Sequence, residues 1–280
     1  MTLHRVVGPS AAATVDPARG GKLTSLTGPD GREWLSQATD PLAPASVGAN
    51  FAEGDPSGWD ECAPSIDACE VDGHPIPDHG DLWAAAWSVT SSKPDLLDMT
   101  AIGTSLDYLI RRRIAATPAG FRLEYSARAR ARDVPFLWAA HPLFASPPGT
   151  VVELSPAAPP VIDVLDPGAP RLPWSAELST LDTLPSPGCR KVYVDPDVAV
   201  TAATIRHADG SALTMTWQNC PYLGLWFDNG TYSREPVVAL EPSLAFRDSL
   251  ALAVELDSAP TLTTGRDLAW AIEIAFSPTT

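Results

Sequence analysis

Twenty-nine prolines and 19 glycines are spread along the whole chain, and they limit what it can fold into more than any other feature. Proline lacks the amide donor that a helix interior needs, and glycine weakens helices through its backbone freedom. Few windows place apolar residues at i, i+3, i+4 and i+7 over a helical length, so the sequence predicts a mostly β protein.

The strand signals agree. In Phe121-Arg-Leu-Glu-Tyr-Ser-Ala-Arg-Ala-Arg-Ala131, Phe121, Leu123 and Tyr125 fall on one face, and Arg122, Glu124 and Arg128 on the other, the period of a half-buried strand. Leu268-Ala-Trp-Ala-Ile-Glu-Ile-Ala-Phe276 repeats the pattern, and Leu213–Trp217 and Leu250–Leu256 repeat it more weakly. Gly28-Pro-Asp-Gly-Arg32, between Leu23–Leu26 and Glu33–Leu35, reads as a hairpin turn. The proline-rich stretches Ser146–Gly149, Ser155–Pro160 and Leu184–Gly188 are short and flanked by strand-like segments, so they read as long loops of one unit. The expectation is an all-β, large antiparallel sandwich forming one domain over residues 1–280.

Hydrophobic residues at 45% support a sizeable core. Thirty-four Asp and Glu against 19 Lys and Arg give a net charge of −15, which repels phosphate backbones and anionic membranes, so neither nucleic acid nor a membrane is expected as a partner. The start, Met1-Thr-Leu-His-Arg-Val-Val7, has no signal-like apolar core, and a cytoplasmic location is expected. Cys62, Cys69, Cys189 and Cys220 have neither the number nor the spacing of a disulfide framework or a paired C-x-x-C zinc site, and are expected as reduced, mostly buried thiols.

Chemistry-bearing residues stand in unusual settings. His141, in Trp138-Ala-Ala-His-Pro-Leu-Phe144, lies in an apolar stretch whose burial would disfavour the imidazolium. It reads equally as a hydrogen-bonded core histidine. Glu241 follows Val237-Val-Ala-Leu240 and precedes Pro242, as a carboxylate at a strand end, projecting into a cleft or simply exposed. His79, in Asp78-His-Gly-Asp81-Leu-Trp83, with Trp87 beyond, joins polar groups to flat apolar rings, the mixture that sugars require. Asp60 and Glu61, in Gly58-Trp-Asp-Glu-Cys62, face opposite sides of a strand if they alternate, so at most one reaches a shared site. His4, His74 and His207 have no comparable setting, and Arg111-Arg-Arg113 reads as a solvated face or edge.

In order, Gly20-Gly21 with its following strand, Asp78-His79-Gly80 with Trp87, Ala140-His141-Pro142-Leu-Phe144, Pro221-Tyr-Leu-Gly-Leu-Trp226 and Ala239-Leu-Glu241-Pro242-Ser243 form a set that resembles the aldose 1-epimerase, or galactose mutarotase-like, superfamily over nearly the whole chain. That resemblance implies a β-supersandwich and a cofactor-free, metal-free isomerase that interconverts the anomers of a sugar. It implies Glu241 as general base, His141 as general acid and His79 as a sugar-binding histidine. Asp60, Glu61, Asp81, Trp83 and Trp226 are the further candidates for substrate contact. The chain also departs from the pattern. Trp59-Asp60-Glu61 stands where better-known members place an arginine ahead of the first histidine, and Trp83 stands where the hexose-phosphate branch has an arginine. The expected substrate is therefore a free, non-phosphorylated sugar. Other readings are a carbohydrate-binding module built on Trp83, Trp87 and Trp226, a glycoside hydrolase pairing Glu241 with Asp60 or Glu61, and a metal-dependent isomerase using His79, His141 and nearby carboxylates.

Overall fold

The computed structural model describes residues 2–38, 46–54 and 56–277. Two large antiparallel sheets dominate it. One has ten strands, in the spatial order His4–Val7, Ala12–Asp16, Lys22–Thr27, Trp59–Cys62, Ala139–Ala145, Val237–Ser243, Tyr222–Asp228, Cys189–Val194, Pro160–Asp163 and Arg171–Pro173. The other has eight: Val151–Ser155, Ala202–Arg206, Ala212–Gln218, Leu268–Ser277, Gly120–Ala129, Tyr108–Ala116, Leu96–Gly103 and Ser88–Lys93. One buried apolar cluster draws on both sheets, with Tyr125 of the second packed 4.7 Å from Trp138 beside the first. The result is a β-sandwich with its core between two inner faces.

The strand predictions hold where alternation is strict. Gly120–Ala129 alternates buried and half-buried residues from Phe121 onward, and Leu268–Ser277 pairs with it from Leu268 opposite Ala127 to Ala275 opposite Gly120. At the predicted turn Gly28 N donates to Arg32 O at 3.0 Å, although beyond it the chain makes only isolated bridges, Thr27 with Glu33 and Leu35 with Phe144. The Pro-rich stretch after Ser155 joins two strands as a loop.

Leu250–Leu256 does not form the strand its weak alternation suggested. Leu250–Glu255 is an α-helix, the only one among the described residues. Ser249 caps it, its Oγ accepting from Leu252 N. Leu250 and Ala253, three apart, are buried, whereas Leu252, Val254 and Leu256 are exposed. Leu, Ala and Glu are good helix formers, and a cap with one buried i, i+3 pair outweighs a loose period of two.

The arginine run is also corrected. Arg111 and Arg113 are exposed, but Arg112 between them turns inward and is 1% exposed. It donates to Glu61 Oε1 and to the carbonyl of Gly21, and packs 4.9 Å from the Trp87 ring. Gly21 has a φ of +61°, and a Cβ there would sit 2.9 Å from Arg112 Nη2, so the glycine permits this contact. All four cysteines are free, Cys62 and Cys220 buried and the other two half-buried. Among the described residues no helix is long and apolar enough to cross a membrane.

Candidate active site

The sheet register brings the chemistry together. Asp60 lies opposite His141 and Gly224 opposite Glu241. The pairing of Ala139 with Ser243 and of Leu143 with Ala239 places His141 level with Glu241. One transverse row therefore runs Asp60, His141, Glu241, Gly224 and then Tyr193. Residues directly opposite share a face, so these side chains project to the same side of the sheet. Between Ala139 and Leu143 the ladder to the Glu241 strand is interrupted. Pro142 and Pro242 fall in that gap and have no N–H to contribute. Glu241 is thus not at a strand end, as Pro242 suggested, but midway along a fully buried central strand.

His141 lines a pocket of about 300 Å³ together with Phe51, Asp67, His79, Lys191 and Trp226, and Glu241 lies next to it without lining it. His141 Nε2 lies 3.9 Å from Glu241 Oε1. Glu241 is 0% exposed and reaches the pocket through its two lining neighbours, His141 and Lys191. Its Oε2 accepts from Lys191 Nζ, while its Oε1 has no hydrogen-bond partner. His141 Nδ1 likewise has none. Buried polar atoms are seldom left unsatisfied, so two unpartnered atoms this close together single out the pair as the candidate site.

Burial pushes the Glu241 carboxyl above the usual range, partly offset by the Lys191 ammonium. Burial, reinforced by the nearby His79, Lys191 and Lys22, holds His141 well below its ordinary 6.5. The proton affinities of the two groups therefore move toward each other.

His79 reaches the pocket from a loop rather than a strand. It sits in the left-handed region at φ 57°, its N donating to Ile66 O at 2.6 Å, with Gly80 next at φ 71°. A Cβ on Gly80 would fall 2.1 Å from Ala63 O, so only glycine allows the loop to close this tightly. His79 Nδ1 lies 3.0 Å from Asp78 Oδ1, and its ring is 5.3 Å from that of His141. Phe51 stacks on His79 at 3.8 Å and meets His141 edge-on at 5.5 Å, so one aromatic ring stands beside both histidines.

The other candidates divide. Trp226 lines the pocket. Trp83 does not; it is buried, edge-on to Phe51, and its Nε1 donates to Asp78 O at 3.3 Å. Asp60 faces the same side as His141 but is 1% exposed and paired with Lys22 at 2.7 Å. Glu61 faces the opposite side, between the sheets, held by Arg112, Tyr125 and Trp138. Asp81 is buried and accepts from Ser105 N at 3.0 Å and Ser105 Oγ at 2.7 Å, away from the pocket. For these three the geometry indicates structural work, because their oxygens are engaged within the protein.

Sequence reasoning did not single out Lys191, Asp248, Tyr193 or Phe51. Lys191 Nζ bridges Glu241 and Asp248 Oδ1, the latter at 3.2 Å, and Tyr193 OH donates to the same Oδ1 at 2.7 Å. The alternation of Lys191-Val-Tyr193 was the one available signal, a lysine and a tyrosine on one face with Val192 and Val194 on the other. Asp228, fully buried, gathers the amides of Thr231, Tyr232 and Ser233, fixing the loop that carries two lining residues. Among the described residues no group of three or more His, Cys, Asp or Glu is disposed to hold a metal ion.

The same architecture recurs among solved structures. A protein of Synechocystis sp. PCC 6803 superposes with a TM-score of 0.79 at 15% identity, covering 100% of this chain and 96% of its own. A galactose mutarotase-like protein from Lactobacillus casei ATCC 334 gives 0.74 at 17%, covering 99% and 100%. The chain has the galactose mutarotase-like fold. An aldose epimerase homologue from C. elegans gives 0.72 at 15%, covering 100% and 99%, so the galactose mutarotase-like fold extends from end to end. No protein-family model and no curated protein matches the sequence.

Proposed function

We propose that this chain is an aldose 1-epimerase that interconverts the α and β anomers of a free sugar, with Glu241 and His141 as its acid–base pair. The observation that carries the reading is the 3.9 Å approach of His141 Nε2 to Glu241 Oε1, two buried groups with unpartnered atoms, the first lining the pocket and the second beside it.

Ring opening needs one group to take the proton of the anomeric hydroxyl and another to give a proton to the ring oxygen. Glu241, as the carboxylate, takes the first, and His141 gives the second from its imidazolium form, which burial makes the minor form at neutral pH. After rotation about C1–C2, the neutral imidazole recovers its proton as the ring closes, and the carboxylic acid returns its own to the anomeric oxygen. No electrons leave the sugar, so the cycle balances on protons alone. His79 would hydrogen-bond near the ring oxygen, Trp226 would offer a face to the C–H surface of the sugar, and displacement of the Phe51 ring would bring the anomeric carbon to the pair. Among the described residues Lys191 is the only Lys or Arg in the lining and is already engaged by two carboxylates, and Asp67, Asp78 and Asp248 line the same pocket. A phosphate would find no free cation, which favours a non-phosphorylated sugar.

The alternatives fit less well. A binding module needs an aromatic platform, yet of Trp83, Trp87 and Trp226 only the last lines the pocket. The hydrolase pairing of Glu241 with Asp60 or Glu61 is disfavoured, because both of those carboxylates are held by buried cations.

NMR exchange spectroscopy over a panel of free aldoses tests the proposal. Wild type should accelerate anomer exchange for at least one sugar, and Glu241→Gln and His141→Asn should each lose that acceleration. Full turnover in both variants would overturn it, and binding without exchange would restore the binding-module reading.

A further inference from the structure

We infer that Lys191 is a positioning residue of the acid–base pair: by pinning Glu241 Oε2 it leaves Oε1 as the oxygen turned toward His141 and the sugar. The inference rests on the mutarotase reading for its catalytic consequence, but not for the geometry. Lys191 and Glu241 lie on strands separated only by Tyr222–Asp228, and the intervening residue level with Glu241 is Gly224. A Cβ on Gly224 would lie 3.0 Å from Glu241 Oε2 and 3.3 Å from Tyr193 Cζ. The missing side chain is what gives the carboxylate room to lean across and meet the ammonium. Lys191 is itself fixed from the far side by Asp248, whose Oδ1 also takes the Tyr193 hydroxyl. The chain Tyr193, Asp248, Lys191, Glu241 thus removes the carboxylate's freedom to rotate and engages one of its two oxygens.

The same contact sets the charge of the base. Burial by itself draws the Lys191 ammonium down, but Asp248 and Glu241 outweigh it and hold it above the ordinary lysine range. Lys191 in turn opposes the effect of burial on Glu241. The other ionisable groups around Glu241 are His141 and the Lys22–Asp60 pair along the row, Tyr193 two strands away, Cys62 beside Asp60, His79 from its loop, and Asp67 and Asp248 in the pocket lining. Of these, only Lys191 holds a Glu241 oxygen by hydrogen bond among the described residues.

The test reads Glu241 directly, by carboxyl ¹³C NMR of glutamate-labelled protein without sugar, with Glu241→Gln providing the assignment. In Lys191→Met the Glu241 midpoint should rise by about one pH unit or more, the usual effect of removing an opposite charge at contact. Lys191→Arg should stay closer to wild type. With sugar, Lys191→Met should lower kcat by about 10-fold or more with KM changed less than about 3-fold, and its acid limb in kcat/KM should move up with the NMR midpoint. The reciprocal measurement uses a near-isosteric variant and so avoids any folding defect of Lys191→Met: in lysine-labelled protein, the Lys191 midpoint should fall in Glu241→Gln, as linkage requires. Unchanged midpoints in both experiments, or a Lys191→Met enzyme with normal kcat, overturn the inference. Midpoints that shift in the variants while the wild type turns over no sugar would overturn the mutarotase reading and leave the ion pair in place.

Discussion

Glu61 and Glu241 are both fully buried glutamates of the ten-stranded sheet, each touching one buried cation, yet their surroundings differ. Glu61 faces the core. Its Oε1 accepts from Arg112 at 2.6 Å and Tyr125 at 2.9 Å, and its Oε2 from Trp138 at 2.8 Å. Both oxygens are engaged, and all the donors belong to the protein. Glu241 faces the pocket with one oxygen on Lys191 and the other unpartnered beside His141. Burial raises both carboxyls, so the perturbed pKa does not tell them apart. What separates them is the free oxygen: a closed set of hydrogen bonds stabilises, whereas an open one waits for a ligand.

Exchanging each carboxylate for its amide separates the two roles. Glu241→Gln should lower the rate of anomer exchange by about 10²–10⁴-fold, measured by NMR at saturating sugar, with little change in unfolding midpoint. Glu61→Gln should do the reverse, costing about 3–5 kcal/mol in urea unfolding because Arg112 is left as an uncompensated buried charge, with kcat near wild type. If the amide at 61 abolished turnover without loss of stability, the division between core and site would fail. A smaller effect belongs to the pocket wall: Trp226→Ala should raise KM by about 2–10-fold and leave kcat within about 2-fold, taking the ring's contact with a sugar as comparable to an aromatic pair, about 0.5–1.5 kcal/mol.

The smallest effect concerns pH. Because His141 is held well below 6.5 in the folded protein, the unfolded chain binds a proton that the fold refuses between its folded value and 6.5. Stability in that window rises with pH and is lost as pH falls toward the folded value, by at most about 1.4 kcal/mol per pH unit for one proton. His141→Asn should therefore flatten the fall in Tm between pH 7 and 5.5 relative to wild type. An unchanged slope would mean that this imidazole is not held neutral by its burial.

Much of the frame was legible without coordinates. Phe121–Ala131 and Leu268–Phe276 advertised their strands through a period of two, which is local information. Leu250–Leu256 failed because a weak period carries little weight beside a capping serine and helix-forming residues. The opposite facing of Asp60 and Glu61 followed from alternation alone, but which of them faced the pocket did not.

The sequence by itself determined an all-β chain, and the apolar settings of His141 and Glu241 that made them candidates. Only the tertiary structure decided that the two lie level in one row, that Lys191, 50 residues from Glu241, holds its second oxygen, and that Arg112 turns inward to close off Glu61. The physical reason is that a residue's face is set by its own strand, whereas its partner is set by register between strands far apart in the chain, and register is fixed only when the whole core packs.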